Sequence, residues 1–370
     1  MATRLYMRNA VVLAKVESTE GVDSSPTGNS NAILVSEMSI NPLEGSDVSL
    51  AYVRPYFGSS PSIRVQDYVT CQFTVDIAGS GSAGSAPSWG PLLRACGFAQ
   101  TLTASAVTGT AAAGASSTIT LAAGATDDMY VGATIHITGG TGNGQSRVIT
   151  DYVASTKVAT VHKAWATTPD ATSTYSISAN AAYTPVSSGF ETLTIYYNVN
   201  GVRHALTGAK GSVSFNMAAN ERPSMQFSFT GIYNPVADAS EATPVYTGFQ
   251  VPVPITSSNT VAKIAGLITD GSNTGVQMQS WSLDMANAVS HRQLVGSESV
   301  ILTDRAPAGS VSLEATTVTF KDWFSYVRTS STDPMFIENG TIAGNIVNIF
   351  CPKLQLAARS EEHTSELQSH

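Results

Sequence analysis

The chain has 370 residues, only 12% of them charged, and a formal net charge of −8 with no cluster of Lys or Arg. That balance argues against tight sequence-specific nucleic-acid binding, although an acidic wall can enclose DNA without holding it. The length exceeds one average domain, and abundant Gly, Ser, Thr and Ala with few charges suit an all-β protein that hides surface in its neighbours.

In chain order, residues 10–16 read as a strand, 20–31 as an exposed polar turn and 32–40 as a second extended segment. A polar turn follows Pro42, and then an extended arm with prolines at Pro55 and Pro61. Residues 68–77 alternate cleanly. Val69, Cys71, Phe73, Val75 and Ile77 form one face, and Thr70, Gln72, Thr74 and Asp76 the other, as expected of a strand with one face on a core. Residues 78–88 form a Gly/Ser/Ala loop too poor in apolar groups to fold on itself. Residues 89–98 predict a short helix with Pro91 in its first turn, Leu92, Leu93 and Cys96 on one face, and Gly97 at its exit.

Composition changes at residues 105–178. Short strands are predicted at 118–121, 133–138, 146–152, 157–161 and 174–177, a small β module inserted on an exposed loop with neighbouring ends. Alternation then resumes in Leu193, Ile195, Tyr197 and Val199, opposite a polar face of Thr192, Thr194, Tyr196 and Asn198. Asn200-Gly201 marks a type I′ hairpin. Val213, Phe215 and Met217 alternate likewise, as do Met225, Phe227 and Phe229, and prolines mark an irregular connection over 234–256. A phase slip within 276–285 predicts a bulge near Gln279–Ser280, and a similar slip separates Leu313 from Val318. Residues 319–328 predict a helix capped by Thr319, with Asp322 at capping-box spacing and Trp323, Phe324 and Val327 as its apolar stripe. Residues 346–356 look strand-like. Residues 359–370, R-S-E-E-H-T-S-E-L-Q-S-H, resemble the translation of a sequencing-adapter oligonucleotide and are set aside; the natural C-terminus, with a final strand, is then expected to be missing.

The succession of arm, strand, flexible loop and short helix over residues 41–101 resembles the tail tube proteins of long-tailed bacteriophages, also called major tail proteins. The similarity extends to residues 15–39 and 304–356, and residues 105–178 interrupt it with a string, G-T-G-N-G-Q-S-R, similar to small β modules of phage structural proteins. The resemblance implies a mainly β fold of two packed antiparallel sheets, sandwich- or barrel-like, flanked by one or two short helices. It implies a discontinuous tube domain, 1–104 plus 179–358, around the surface-exposed module. It also implies a structural virion protein forming stacked hexameric rings, assembled in the host cytoplasm, with DNA passing through the lumen during ejection. Expected partners are further copies of itself, a tape-measure protein and tail-end proteins. Residues 52–67 and 78–88 are expected to make the contacts between rings.

No catalytic, cofactor-binding or metal-ligating residue is predicted. Gly139–Ser146 fits a phosphate-loop frame except that Gln145 replaces the lysine and a strand follows in place of a helix, so it reads as a hairpin turn. His136, His162, His204, His291, His363 and His370 have no i, i+4 partner, and neither H-E-x-x-H nor G-x-S-x-G occurs. Cys71, Cys96 and Cys351 are odd in number and set in apolar patterns, which suits buried free thiols in a reducing compartment. The N-terminus lacks an apolar core of signal-peptide length, and no stretch approaches ~18 apolar residues, so no membrane span is expected. The alternatives are a decoration or adhesin protein binding host glycans through residues 105–178, and a phage glycan hydrolase, for which no carboxylate pair stands out.

Overall fold

The computed structural model describes residues 9–263, 277–314, 317–319 and 322–356. The fold is mainly β, with sandwich-like packing of antiparallel sheets and three short helices among the described residues. The main sheet runs Ala32–Ile33, Ala10–Val16, Leu193–Val199, Val202–Ala218, Ser224–Tyr233, Ser62–Asp76, Ser36–Ser49. Val202–Ala218 is long enough to change partners. Its first half pairs with Leu193–Val199 and its end pairs with Met278–Asp284, which in turn holds Ala308–Leu313. The sheet stays open, and Ser36–Ser49 is one of its edges.

One face of this sheet carries the main core. Val69, Cys71, Phe73, Val75 and Ile77 all point into it, as their alternation requires. The rings of Phe73, Phe227 and Phe229 lie within 6 Å of one another, centroid to centroid. Helices Gly90–Ala95 and Trp323–Arg328 and a three-stranded sheet of Thr260–Lys263, Thr332–Asn339 and Val347–Gln355 close the core from the other side. Each fully buried Leu, Ile or Phe there is worth about 1.5–3 kcal/mol. The hairpin Asn287–Leu294/Ser297–Arg305 covers part of the sheet's opposite face. Lys210 donates to the Val300 carbonyl at 2.8 Å, and Tyr68 stacks on His291 at 5.1 Å.

Residues 107–177 build a separate seven-stranded sheet with its own core, in which Ile119, Ile135, Ile149, Tyr152 and Tyr175 are buried. All five strands expected there form, joined by Val107–Thr110 and Ala113–Ala115. The chain enters and leaves this unit through a two-stranded ribbon, Phe98–Thr103 against Asn180–Pro185, in which Thr103 faces Asn180. The ends of the unit are therefore neighbours. At the Asn200-Gly201 turn both residues have positive φ (46° and 91°), as a type I′ hairpin demands. The register of Met278–Asp284 shifts between Met278 and Ser280, where the sequence places its bulge.

Two expectations need correction. Leu193–Val199 is buried on both faces, because its polar side is covered by Glu17, Val11, Leu13 and Ala32. The last helix starts at Trp323, and its cap is Asp322, whose carboxylate accepts from the Ser325 amide at 2.9 Å; Thr319 is not the cap. Trp323 and Tyr326 are buried there while Phe324 is exposed. The strand before the Leu313–Val318 slip ends at Leu313, and residues 315–316 lie outside the described residues, as do Val276 and the suspect tail 359–370. Asp322→Ala is expected to cost about 1 kcal/mol and Thr319→Ala close to nothing, read from the midpoints of urea unfolding.

Candidate assembly surface

The region expected to be a turn and an extended arm is one long β-hairpin. Ser36–Ser49 pairs with Ser62–Asp76 from Ser36↔Thr74 to Ser49↔Ser62, with register shifts at Ser36/Ser39, Asn41/Glu44 and Ser46/Asp47. An edge strand tolerates Pro42, and the irregularities twist the ribbon. Gly45 (φ 139°) lies so close to the Gln66 carbonyl that a Cβ there would sit 1.9 Å from its oxygen.

The root of this arm is braced. Arg64 donates to the Glu44 carbonyl at 2.5 Å and sits 3.6 Å from Asp47. Glu44 accepts from Asn41 at 2.7 Å and from Thr70 at 2.8 Å. Gln66 bonds His291 Nδ1 at 2.9 Å, and His291 Nε2 meets Glu298 at 2.9 Å. Beyond Gln66 the ribbon leaves the body. Val48 faces Ile63 across the ladder, and Val65 follows at the Ser46/Asp47 register shift; all three are exposed. At the tip, Tyr52 and Tyr56 are exposed, and Val53 and Phe57 are fully so, at 103% and 108%. Arg54 lies over the Tyr56 ring, 6.0 Å from its centroid. The tip is thus rich in apolar side chains, and among the described residues none covers them.

The loop 78–88 behaves differently. Gly79 N–H donates to Asn345 Oδ1 at 2.7 Å, Gly81 N–H donates to the Gly344 carbonyl at 2.9 Å, and Trp89 Nε1 donates to the Ala78 carbonyl at 2.9 Å. A Cβ on Gly79 would lie 2.1 Å from the Gly344 oxygen, so glycine is what permits the approach. Its backbone donors serve the subunit's own interior, so of the two segments expected to join rings only the arm stays unpartnered.

Beside this loop opens a cavity of about 300 Å³, lined by Leu34, Trp89, Tyr246, Phe249, Val251 and Pro252, with Asp76, Ser88 and Gln250 as polar side chains on its wall. Asp76 is engaged by Arg222 at 2.7 Å, and burial pushes the Tyr246 phenol above its ordinary value. An acid–base pair poised for glycoside hydrolysis is not formed by these groups.

Elsewhere the chemistry is that of structure. Burial pushes the Cys71 thiol up to about 12, and raises Cys96 and Cys351 as well, so none is a ready thiolate. Among the described residues, no group of three or more His, Cys, Asp or Glu is arranged to hold a metal ion. The phosphate-loop look-alike is the turn between Thr134–Gly139 and Ser146–Val153. In it Gln145 is nearly buried and pins the loop by donating to the Gly142 and Thr167 carbonyls at 3.0 and 2.8 Å and accepting from the Ala166 and Thr167 amides. His136 lies on the polar side of its strand and meets the Ser146 hydroxyl at 2.7 Å.

Two interior polar clusters went unread in the sequence. Glu17, 8% exposed, accepts four hydrogen bonds: Thr192 at 2.7 Å, Thr194 at 2.9 Å, and the Gly21 and Gly208 amides at 2.8 Å each. Arg305 and Asn287 join the body to the ribbon. Arg305 donates to Asn287 Oδ1 at 2.9 Å and to the Gly97 carbonyl at 2.8 Å, and Asn287 donates to the Cys96 and Gly211 carbonyls at 2.8 and 2.9 Å. Neither pattern has a short-range sequence signal, since each partner lies roughly 100 residues or more from some of the groups it binds.

No protein-family model matches the chain, and no curated protein is significantly similar to it.

Proposed function

We propose that this chain is the repeating subunit of a tube, assembling as hexameric rings that stack into a phage tail through which DNA passes on ejection. One observation carries the reading: a long β-hairpin projects from the body and ends in apolar side chains that no described residue covers. A two-stranded ribbon is marginal in water by itself, and an exposed apolar patch of this kind calls for a partner. The open sheet with a long edge at Ser36–Ser49 fits the same reading, because joining subunits edge to edge removes the aggregation hazard of free edges. The acidic balance suits a conduit wall that does not bind its cargo. Tape-measure and tail-end proteins are its further partners, and the virion tail is its location.

The adhesin alternative draws no support from the inserted unit. Its four aromatic side chains, Tyr130, Tyr152, Trp165 and Tyr175, are all buried in its core, so none is offered as a stacking platform for a sugar ring.

Negative-stain electron microscopy of the concentrated full chain is expected to show hollow tubes or rings of uniform diameter; monodisperse monomers at every concentration tried would overturn the reading. The inserted unit is peripheral in this assembly. Replacing residues 104–179 with Asn-Gly, which closes the Thr103–Asn180 pair as a tight hairpin, should leave tubes of the same repeat and a smaller outer diameter. Loss of tubes from a folded deletion would move the unit into the contact surface.

A further inference from the structure

The arm tip and the 300 Å³ cavity lie at opposite ends of one strand: Ser62–Asp76 starts beside the tip, and Asp76 forms part of the cavity wall. At about 3.3 Å per residue the two ends are separated by roughly 45 Å. A subunit cannot bring its own tip to its own cavity, whereas a copy translated along the strand direction can. We infer that the arm tip of one subunit docks into this cavity on a subunit of the next ring, with the Phe57 ring as the group that enters. The inference rests on the tube reading above and names the receptor for the arm.

Charge and size support this occupant. Residues 50–61 hold Arg54 and no acidic residue, while residues 241–252, which bring Tyr246, Phe249, Val251 and Pro252 to the cavity, begin at the exposed Glu241 and hold no Lys or Arg, and the Arg222 charge beside the wall is taken up by Asp76. The cavity has room for one aromatic ring, and Val251, 83% exposed at its rim, extends its apolar surface outward. An aromatic side chain buries about 150–250 Å². A contact through Tyr52, Val53, Tyr56 and Phe57 therefore buries roughly 500 Å² of the tip, at the weak end of specific interfaces. A single tip–cavity contact does not hold two subunits together; several presented at once by a ring do. Because knob and hole are different surfaces, the contact does not close on itself and propagates as a stack.

The test is oxidative cross-linking of the full-length double variant Phe57→Cys/Val251→Cys under polymerising conditions, with each single variant as control. The native thiols are common to all three proteins: Cys71 and Cys96 are buried, and a link through the half-buried Cys351 would show in the single variants as well. A ladder of disulfide-linked oligomers from the double variant alone is expected. In parallel, Arg54→Glu should raise the concentration needed for tubes at least about ten-fold, because a small loss per contact recurs around a ring, and adding Glu241→Arg should bring it back to within about three-fold of the unmodified chain. Tubes without a ladder and without that rescue overturn the cavity as receptor and leave the tube reading standing. Absence of tubes and rings from the unmodified chain overturns the tube reading itself, and this inference with it.

Discussion

Shortening the arm to its base is expected to abolish polymerisation and to leave the subunit folded. The change replaces residues 47–65 with Asn-Gly, so that Ser46 and Gln66, which face each other in the ladder, close directly as a hairpin. Gln66 keeps its bond to His291, and the Tyr68–His291 stack is untouched. The side chains removed include Val48, Tyr52, Val53, Tyr56, Phe57, Ile63 and Val65, all exposed in the subunit. They contribute little to its stability; the change also removes Arg64, with its exposed bond to the Glu44 carbonyl and its pair with Asp47, so the unfolding free energy should fall by no more than about 1.5 kcal/mol. In the proposed tube those same side chains become buried. At about 1.5–3 kcal/mol for each large apolar side chain, the arm supplies a gross gain on the order of 10 kcal/mol per subunit, set against an association cost of about 4–15 kcal/mol. Removing a term of that size shifts the polymerisation threshold by several orders of magnitude. Sedimentation and electron microscopy at matched concentration are the measurements. Tubes of normal repeat from the shortened protein would remove the arm from the assembly surface.

The same arm shows where sequence reading works and where it stops. The inner half of Ser62–Asp76 was legible because each alternate residue meets the core and must be apolar. The outer half was legible only as an extended arm, and its partner Ser36–Ser49 only as far as Ile40. With both faces in solvent, no burial imposes a period, and Pro42, Gly45 and the acidic side chains of an edge strand mimic the composition of a turn. Five of the seven strands of the inserted unit were legible because their short apolar runs are punctuated by turn residues. Residues 78–88 have the composition of a flexible linker, yet their glycines permit close backbone approach to Gly344 and Asn345, more than 250 positions away. A glycine needed for contact and one needed for freedom look alike until the contacting segment is known. The start of the last helix was misplaced by a similar ambiguity: Thr319 and Asp322 are both good caps, and the choice depends on which turn buries Trp323 and Tyr326 against the core.

Replacing Glu17 with alanine should be among the most destabilising single changes in the body of the protein. Its carboxylate sits between the loop at Gly21 and the polar face of Leu193–Val199, where four uncharged donors saturate its two oxygens. Alanine leaves the Gly21 and Gly208 amides without their acceptor in a site that water does not readily reach. Each such orphaned group costs about 1–3 kcal/mol, so a total near 4 kcal/mol is expected, a large part of the roughly 5–15 kcal/mol that holds a domain folded. Glutamine separates shape from chemistry. It fills the same space, and its amide oxygen can still serve two donors, but its NH2 group then meets one backbone N–H that cannot reverse its role. The Thr192 or Thr194 hydroxyl beside it can rotate to accept instead. About half the alanine penalty should remain, roughly 2 kcal/mol, read as a lower midpoint with unchanged slope in urea unfolding. Glutamine as stable as the native residue would mean that the site needs only volume. The expected order, native above glutamine above alanine, would identify Glu17 as the acceptor that allows a strand with Thr at alternate positions to be buried on both faces. That is the requirement the alternation of Leu193, Ile195, Tyr197 and Val199 does not reveal on its own.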